Sequence, residues 1–145
     1  MESGWEMTAK EFLKSIRESD MEIRALREKI TLLRGEAEGV KAMALSDMPR
    51  GGHGKSAADI IAEVADLQRE CADQMIDLVH SKSVALETIM KISGTEERAV
   101  LIYRYLCGKS WNEIADEMKY AECSIYRIHG TALADFDKNW KDESK

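Results

Sequence analysis

Apolar residues recur in alternating steps of four and three along residues 12–44, and this spacing constrains the fold more than any other feature of the chain. The series is Phe12, Ile16, Ser19, Ile23, Leu26, Ile30, Leu33, Ala37, Val40 and Ala44. A period of 3.5 residues is typical of a long helix that packs along a seam against another helix. Thr8 is expected to cap this helix, with Glu11 completing a capping box.

Residues 57–92 repeat the heptad pattern less regularly. The apolar positions are Ile61, Val64, Cys71, Met75, Leu78, Ala85, Ile89 and Ile92, and the stripe is widened by Ile60, Leu67 and Leu86. Two helices of about 50 Å each, joined by a short connection, predict an antiparallel, coiled-coil-like hairpin. The connection, residues 47–56, contains the single proline of the chain and three glycines.

The end of this connection, Gly54-Lys55-Ser56, matches the second half of a phosphate-binding loop. Such a loop follows a β-strand and requires a first glycine, whereas here a helix precedes it and Pro49 occupies the glycine position. Ser56 is therefore expected to cap the second helix. No nucleotide is expected to bind at this connection.

The composition excludes several classes of protein. No run approaches 18 apolar residues, so no membrane-spanning helix is expected, and the first six residues lack the features of a secretory signal. The three cysteines are far apart and have no metal-ligand spacing, which predicts reduced thiols and no metal site. No catalytic motif is present. We therefore expect a cytoplasmic protein that is not an enzyme and has no cofactor.

The C-terminal third predicts three shorter helices. Thr95 is expected to cap the first, and Gly108 to end it as a C′ glycine. Ser110 and Glu113 form a capping box for the second, and Ile114, Ala115 and Met118 give it an apolar face. After a break at residues 119–121, a third helix directs inward Ile125, Ile128, Ala132, Leu133 and Phe136, with Trp140 at its end.

The second and third of these helices have the spacing of a helix-turn-helix. Ala115 is the small residue that lets the second helix of such a motif cross closely over the first. Lys119 occupies the turn position that favours glycine, with an expected strain of about 1 kcal/mol. Ala121 stands where a Ser or Thr cap is usual. The fold class predicted is all-α: a long antiparallel helical hairpin, residues 1–94, followed by a three-helix helix-turn-helix domain, residues 95–145.

Residues 108–136, GKSWNEIADEMKYAECSIYRIHGTALADF, resemble the helix-turn-helix of region 4 of the sigma-70 family. The whole layout, a heptad hairpin, a Gly-rich turn and then this motif, is similar to small phage-encoded regulators of late transcription of the ArpU/RinA type. The resemblance implies double-stranded DNA binding by the last helix and a role in phage or prophage gene control.

By this resemblance, the DNA-facing side chains on the last helix are Glu122, Cys123, Ser124, Tyr126, Arg127 and His129. Arg127 could bind guanine O6 and N7, and Lys109 and Lys119 could contact backbone phosphates. Glu122 could accept a hydrogen bond from cytosine, although its position at a helix N-terminus favours a role with the helix dipole. Packing rather than base stacking is expected for Tyr103, Tyr105 and Trp111.

The charge balance keeps other functions open, because nucleic-acid-binding proteins are more often basic. The net charge is −6. Residues 1–94 contain 13 basic and 17 acidic side chains, and residues 95–145 contain 8 basic and 10 acidic side chains. One alternative is a protein-interaction module that docks on RNA polymerase or another protein. Another is a small terminase-like factor for DNA packaging.

The apolar stripe of the hairpin is wider than a strict heptad seam. Leu13 and Val79, for example, lie beside the heptad lines. A lone hairpin would leave such residues in water, so we expect a homodimer that buries them in a four-helix bundle. The alternative is that the C-terminal helices cover the stripe within one chain. The residues assigned to oligomerisation are Ile16, Ile23, Leu26, Ile30, Leu33, Val64, Leu67 and Leu78.

Overall fold

The structure, a computed structural model, describes residues 7–44 and 55–143. The helices are α1 (Ala9–Ala44), α2 (Ala57–Ile89), α3 (Thr95–Leu101), α4 (Trp111–Met118) and α5 (Glu122–Glu143). A π-helical segment, Ile102–Leu106, continues α3. No strand occurs in the two described ranges. The protein is all-α, a long helical hairpin followed by shorter helices, as predicted.

The chain divides into two compact units. One comprises Met1–Met21 and Leu78–Lys145, and the other comprises Glu22–Asp77. We call them the terminal unit and the hairpin unit. Each long helix contributes residues to both. The predicted division into a hairpin, residues 1–94, and a helix-turn-helix domain, residues 95–145, stays a prediction.

Both long helices begin at the expected caps. The Thr8 N–H donates to Glu11 Oε2 (3.0 Å) and the Glu11 N–H donates to Thr8 Oγ1 (3.1 Å). At α2, the Asp59 N–H donates to Ser56 Oγ (3.1 Å) and the Ser56 N–H to Asp59 Oδ2 (3.3 Å). Ser56 is therefore a helix cap. Residues 47–54 of the predicted turn lie outside the described residues.

The hairpin unit buries the predicted α1 seam but a shifted α2 seam. On α1 the buried positions are Ile23, Ile30, Leu33 and Ala37. On α2, Ile60 is 4% exposed, whereas Ile61 and Met75, predicted on the seam, are 46% and 39% exposed. The prediction for these two residues was wrong. In this unit the second line of the seam runs through Ile60, Leu67 and Gln74, and in the terminal-unit part of α2 the same spacing continues through Ser81 and Thr88; all five are buried or half-buried.

The core of the terminal unit joins the base of the hairpin to the C-terminal helices. Its fully buried side chains include Leu13, Ile16, Ile89, Val100, Leu101, Ile114, Ile125 and Phe136. Trp140 closes the end of α5, because its indole stacks on Phe12 (centroids 4.5 Å apart) and on Phe136 (5.7 Å). Burial of this many large apolar side chains supplies the main driving force for folding of this unit.

The start of α3 differs from the prediction. Thr95 is the first helical residue rather than the cap, and the preceding Gly94 is the N-cap, with extended backbone (φ −79°, ψ 126°). The Gly94 carbonyl accepts the first helical bond from the Arg98 N–H (3.1 Å), and the Thr95 hydroxyl accepts from Arg98 Nη2 (3.3 Å). The helix thus begins one residue earlier than a Thr95 cap requires.

Candidate nucleic-acid interface

α4 and α5 pack as a helix-turn-helix. Ala115, on α4, is 6% exposed and belongs to a cluster with Val100, Ile114 and Ile125. α4 begins at the predicted capping box: the Ser110 N–H donates to a Glu113 carboxylate oxygen (2.8 Å), and the Glu113 N–H donates to Ser110 Oγ (3.2 Å). The bond from the Ser110 backbone lowers the pKa of Glu113. The small residue and the cap therefore lie where the motif requires them.

The turn between α4 and α5 is left-handed at Lys119, with φ 64° and ψ 39°. A non-glycine residue in this conformation costs about 1 kcal/mol, as predicted for this position. Ala121 has no side-chain cap to offer, and its carbonyl alone accepts from the Ser124 N–H (3.0 Å) and the Ile125 N–H (3.2 Å). The Tyr120 hydroxyl donates to the Glu96 carboxylate. This bond ties the turn to α3.

The exposed face of α5 carries most of the predicted DNA-facing residues. Glu122, Cys123, Tyr126 and Arg127 are exposed, and Ser124 is half-buried. Among the described residues, the Arg127 guanidinium forms no ion pair with a carboxylate. It is therefore available to an outside acceptor.

The two predicted phosphate-binding lysines differ in their surroundings. Lys119 is exposed in the turn. Lys109 is half-buried, and its Nζ lies 5.6 Å from the centroid of the Tyr103 ring. A cation at this distance is held by the ring quadrupole. Lys109 therefore has a partner within the chain.

His129 does not lie on the exposed face, and its assignment there was wrong. Its Nε2 is hydrogen-bonded to the Tyr105 hydroxyl (2.8 Å), and its ring packs edge-on against Trp111 (centroids 4.6 Å apart). Burial, with smaller contributions from the charges of Arg104 and Lys10, lowers its pKa to about 4. The ring is neutral at pH 7, and the helical period places it next to the buried Ile125 rather than beside Arg127.

The aromatic residues Tyr103, Tyr105 and Trp111 pack against other side chains, as predicted. Tyr105 is buried, and Tyr103 and Trp111 are half-buried. The Trp111 ring also lies 5.1 Å from that of Tyr126, which is itself 50% exposed. Tyr126 therefore lies on the exposed face of α5 and also contacts the aromatic ring of Trp111.

The residues assigned to oligomerisation are covered by other residues of the same chain. Leu26 and Leu67 are half-buried, and the other six are buried: Ile16, Ile23, Ile30, Leu33, Val64 and Leu78. They form the seam of the hairpin itself. The exposed large apolar residues in the last part of α2 and just after its end are instead Val79 (62%), Leu86 (41%) and Met90 (58%). Their spacing places them on one face. The sequence had indicated Val79 and Leu86, which lie off the heptad lines, but not Met90.

Comparisons with family models, curated proteins and solved structures found no match for this chain. Within residues 7–44 and 55–143, no helix has the length and apolar character needed to cross a membrane. The same residues contain no group of three or more His, Cys, Asp or Glu side chains that could hold a metal ion.

We expect the terminal unit to lose stability as the pH falls from 7 to 5 because of His129. The folded pKa of about 4 lies below the unfolded value of about 6.5. The unfolded chain therefore binds the proton first, so stability is full above the unfolded pKa and declines as the pH falls toward 4. Urea unfolding at pH 7.5 and 5.0 measures this change.

A matched pair of variants isolates this effect. His129→Gln should show a smaller loss between the two pH values, whereas His80→Gln, which removes an exposed histidine, should behave like the parent. An equal loss of stability in His129→Gln and in the parent would contradict the assignment.

Proposed function

We propose that the chain is a DNA-binding transcription regulator that acts in the cytoplasm, without catalysis, by placing α5 in the major groove. The observation that carries the proposal is the crossing of α4 and α5 at the buried Ala115, with a left-handed residue in the turn between them. This is the arrangement by which a helix-turn-helix presents its second helix to DNA.

The side chains on the exposed face suit base recognition. In such motifs the first residues of the second helix contact base edges, and here Tyr126 and Arg127 lie within the first two turns of α5. Arg127 can donate two parallel hydrogen bonds to guanine, the commonest specific contact. The exposed Lys119 can bind a phosphate nearby. The resemblance of residues 108–136 to sigma region 4, and of the whole layout to phage regulators of late transcription, supports transcription control as the biological role.

Selection of binding sites from random double-stranded DNA tests the proposal. We expect enrichment of one motif, and an affinity for it that falls as salt is raised, because phosphate contacts release counterions. Equal affinity for the enriched and the unselected DNA would contradict the proposal.

A second candidate function is docking on RNA polymerase or another protein. The net charge of −6 favours it, because few basic residues mean weak phosphate binding at cellular salt. Purified RNA polymerase, added to the chain in the absence of DNA, distinguishes the two functions: a stable binary complex together with no enriched DNA motif supports docking.

We further expect a homodimer formed through the apolar face of Val79, Leu86 and Met90. Contiguous apolar patches of this kind are seldom exposed on monomers. Two copies would also bring two α5 helices to one duplex, which raises the apparent affinity of weak single contacts and predicts a nearly palindromic site. Light scattering should give twice the 16.4 kDa of one chain.

Charge placed on this face should dissociate the dimer. Val79→Glu with Leu86→Glu is expected to reduce the mass to that of one chain, whereas Leu32→Glu, on an exposed position of α1, should leave the dimer intact. A parent protein that stays at 16.4 kDa at every concentration would contradict this prediction.

A further inference from the structure

The terminal unit contains a cavity of about 430 Å³ that is lined in part by Trp111 of α4 and His129 of α5. One wall comes from α1, with Lys10, Lys14 and Arg17. The other comes from the π-helical segment, α4 and α5, with Arg104, Tyr105, Trp111 and His129. The volume lies in the range of small-molecule sites, which are lined by apolar and aromatic side chains with a few placed polar groups.

The charge of the lining is opposite to that of the chain. Four basic side chains and one carboxylate, Glu18, line the cavity, although the net charge of the protein is −6. The spacing of Lys10, Lys14 and Arg17 places all three on one face of α1. Within the part of the chain that the structure describes, none of the four basic groups forms an ion pair with a carboxylate.

Two of the basic groups converge on one backbone oxygen. Arg17 Nη1 donates to the carbonyls of Arg104 (3.2 Å) and Lys109 (3.3 Å), and Arg104 Nη1 donates to the same Lys109 carbonyl (3.3 Å). Burial, followed by the charge of Arg17, lowers the pKa of Arg104. Two neighbouring guanidinium groups that form no ion pair with a described carboxylate favour an anion, which each can bind by charge-assisted hydrogen bonds.

Aromatic side chains lie beside these cations. The Arg104 guanidinium lies 4.2 Å from the centroid of the Trp111 ring, and the neutral His129 packs against the same ring. Arg104 and Tyr105 both belong to the π-helical segment, Ile102–Leu106. Such segments are rare and are frequent at functional sites.

We propose that this cavity binds a small organic anion, an aromatic ring that carries a carboxylate or phosphate group. Arg17, Arg104 and the two lysines bind the anionic group, and Trp111 packs against the ring. Trp111 also contacts Tyr126, which lies on the exposed face of α5. A ring bound against Trp111 would therefore be separated from that face only by the Trp111 side chain. Binding of an anion in this cavity does not depend on DNA binding by α5.

Isothermal titration calorimetry with four probes tests the site: 2-naphthoate, 2-naphthyl phosphate, neutral 2-naphthol and inorganic phosphate. We expect one of the anionic aromatic probes to bind one to one, at least about tenfold more tightly than naphthol or phosphate alone. The stronger of the two anionic probes identifies the group, carboxylate or phosphate, that the basic residues prefer.

A double variant at the rim of the cavity tests the role of the lysines. Lys10→Glu with Lys14→Glu should weaken binding at least about tenfold through charge reversal. The control, Lys29→Glu with Lys41→Glu, makes the same charge change farther along α1 and should alter it less than about twofold, because such distances are screened. All four lysines are exposed, so thermal melting should change little, and Lys14→Gln serves if the double variant does not fold.

Three outcomes would overturn the inference. They are no binding of either anionic aromatic probe up to about 1 mM, equal affinity for naphthol, and equal weakening in the rim and control variants. Loss of DNA affinity in the rim variant, without any probe binding, would also overturn it and would assign Lys10 and Lys14 to the DNA backbone.

Discussion

Replacing Arg127 by alanine is expected to weaken binding to the enriched DNA site by about 1–3 kcal/mol, roughly 5- to 150-fold, with no loss of thermal stability. Arg127 is exposed on α5 and forms no ion pair with the described carboxylates, so its removal leaves the fold unchanged. A bidentate contact to guanine is specific, so the loss should be confined to the enriched site. Fluorescence anisotropy with enriched and unrelated duplexes measures both affinities.

Two lysine variants serve as controls for this prediction. Lys119→Ala, in the turn, should weaken binding to every duplex about equally and reduce the slope of affinity against salt by about one phosphate contact. Lys138→Ala, an exposed position later in α5, should have little effect. An Arg127→Ala protein that binds the enriched site as tightly as the parent would show that α5 is not the recognition helix.

Replacing Ala115 by leucine is expected to destabilise the terminal unit by about 1–3 kcal/mol, because overpacking a close helix crossing forces side chains and backbone apart. Ala115 is 6% exposed and is packed with Ile114 and Ile125. The three added carbons have no space there. Urea unfolding followed by circular dichroism measures the loss, and DNA binding should be lost together with the fold of α4 and α5.

Ala134→Leu is the matched control, because Ala134 is exposed on α5. The same change of side chain there should alter stability by less than about 0.5 kcal/mol. If Ala115→Leu melts like the parent and like Ala134→Leu, the two helices do not cross closely at residue 115, and the helix-turn-helix is wrong.

Local signals in the sequence predicted the helices and most of their ends, the start of α3 being the exception. The heptad spacing predicted α1 and α2, and short-range side-chain pairs predicted the caps at Thr8, Ser56 and Ser110. The strained residue was also predicted, because Lys119 occupies a turn position that favours glycine for its positive φ. All these features depend on interactions between residues within one or two helical turns of each other, and such interactions can be predicted from the sequence of that segment.

The sequence was less informative about which of two adjacent faces is buried. The second α2 line runs through Gln74 and Ser81, which are polar, so the apolar pattern pointed to Ile61 and Met75 instead. Successive residues of a helix point about 100° apart. A seam predicted one position too far along the sequence therefore lies on the neighbouring face of the helix. Only the packing of α1 against α2 decides between such faces, because burial depends on the partner surface as well as on the pattern.

By itself, the sequence determined the helical content, the hairpin and the spacing of the helix-turn-helix, since each is indicated by a pattern of residues close together in the chain. Tertiary structure alone decided that His129 packs inside against Tyr105 and that Arg17 and Arg104 share the Lys109 carbonyl oxygen. Arg17 and Arg104 are 87 residues apart in the chain. No local pattern encodes such a meeting, because it is produced by the long-range packing of α1 against the C-terminal helices.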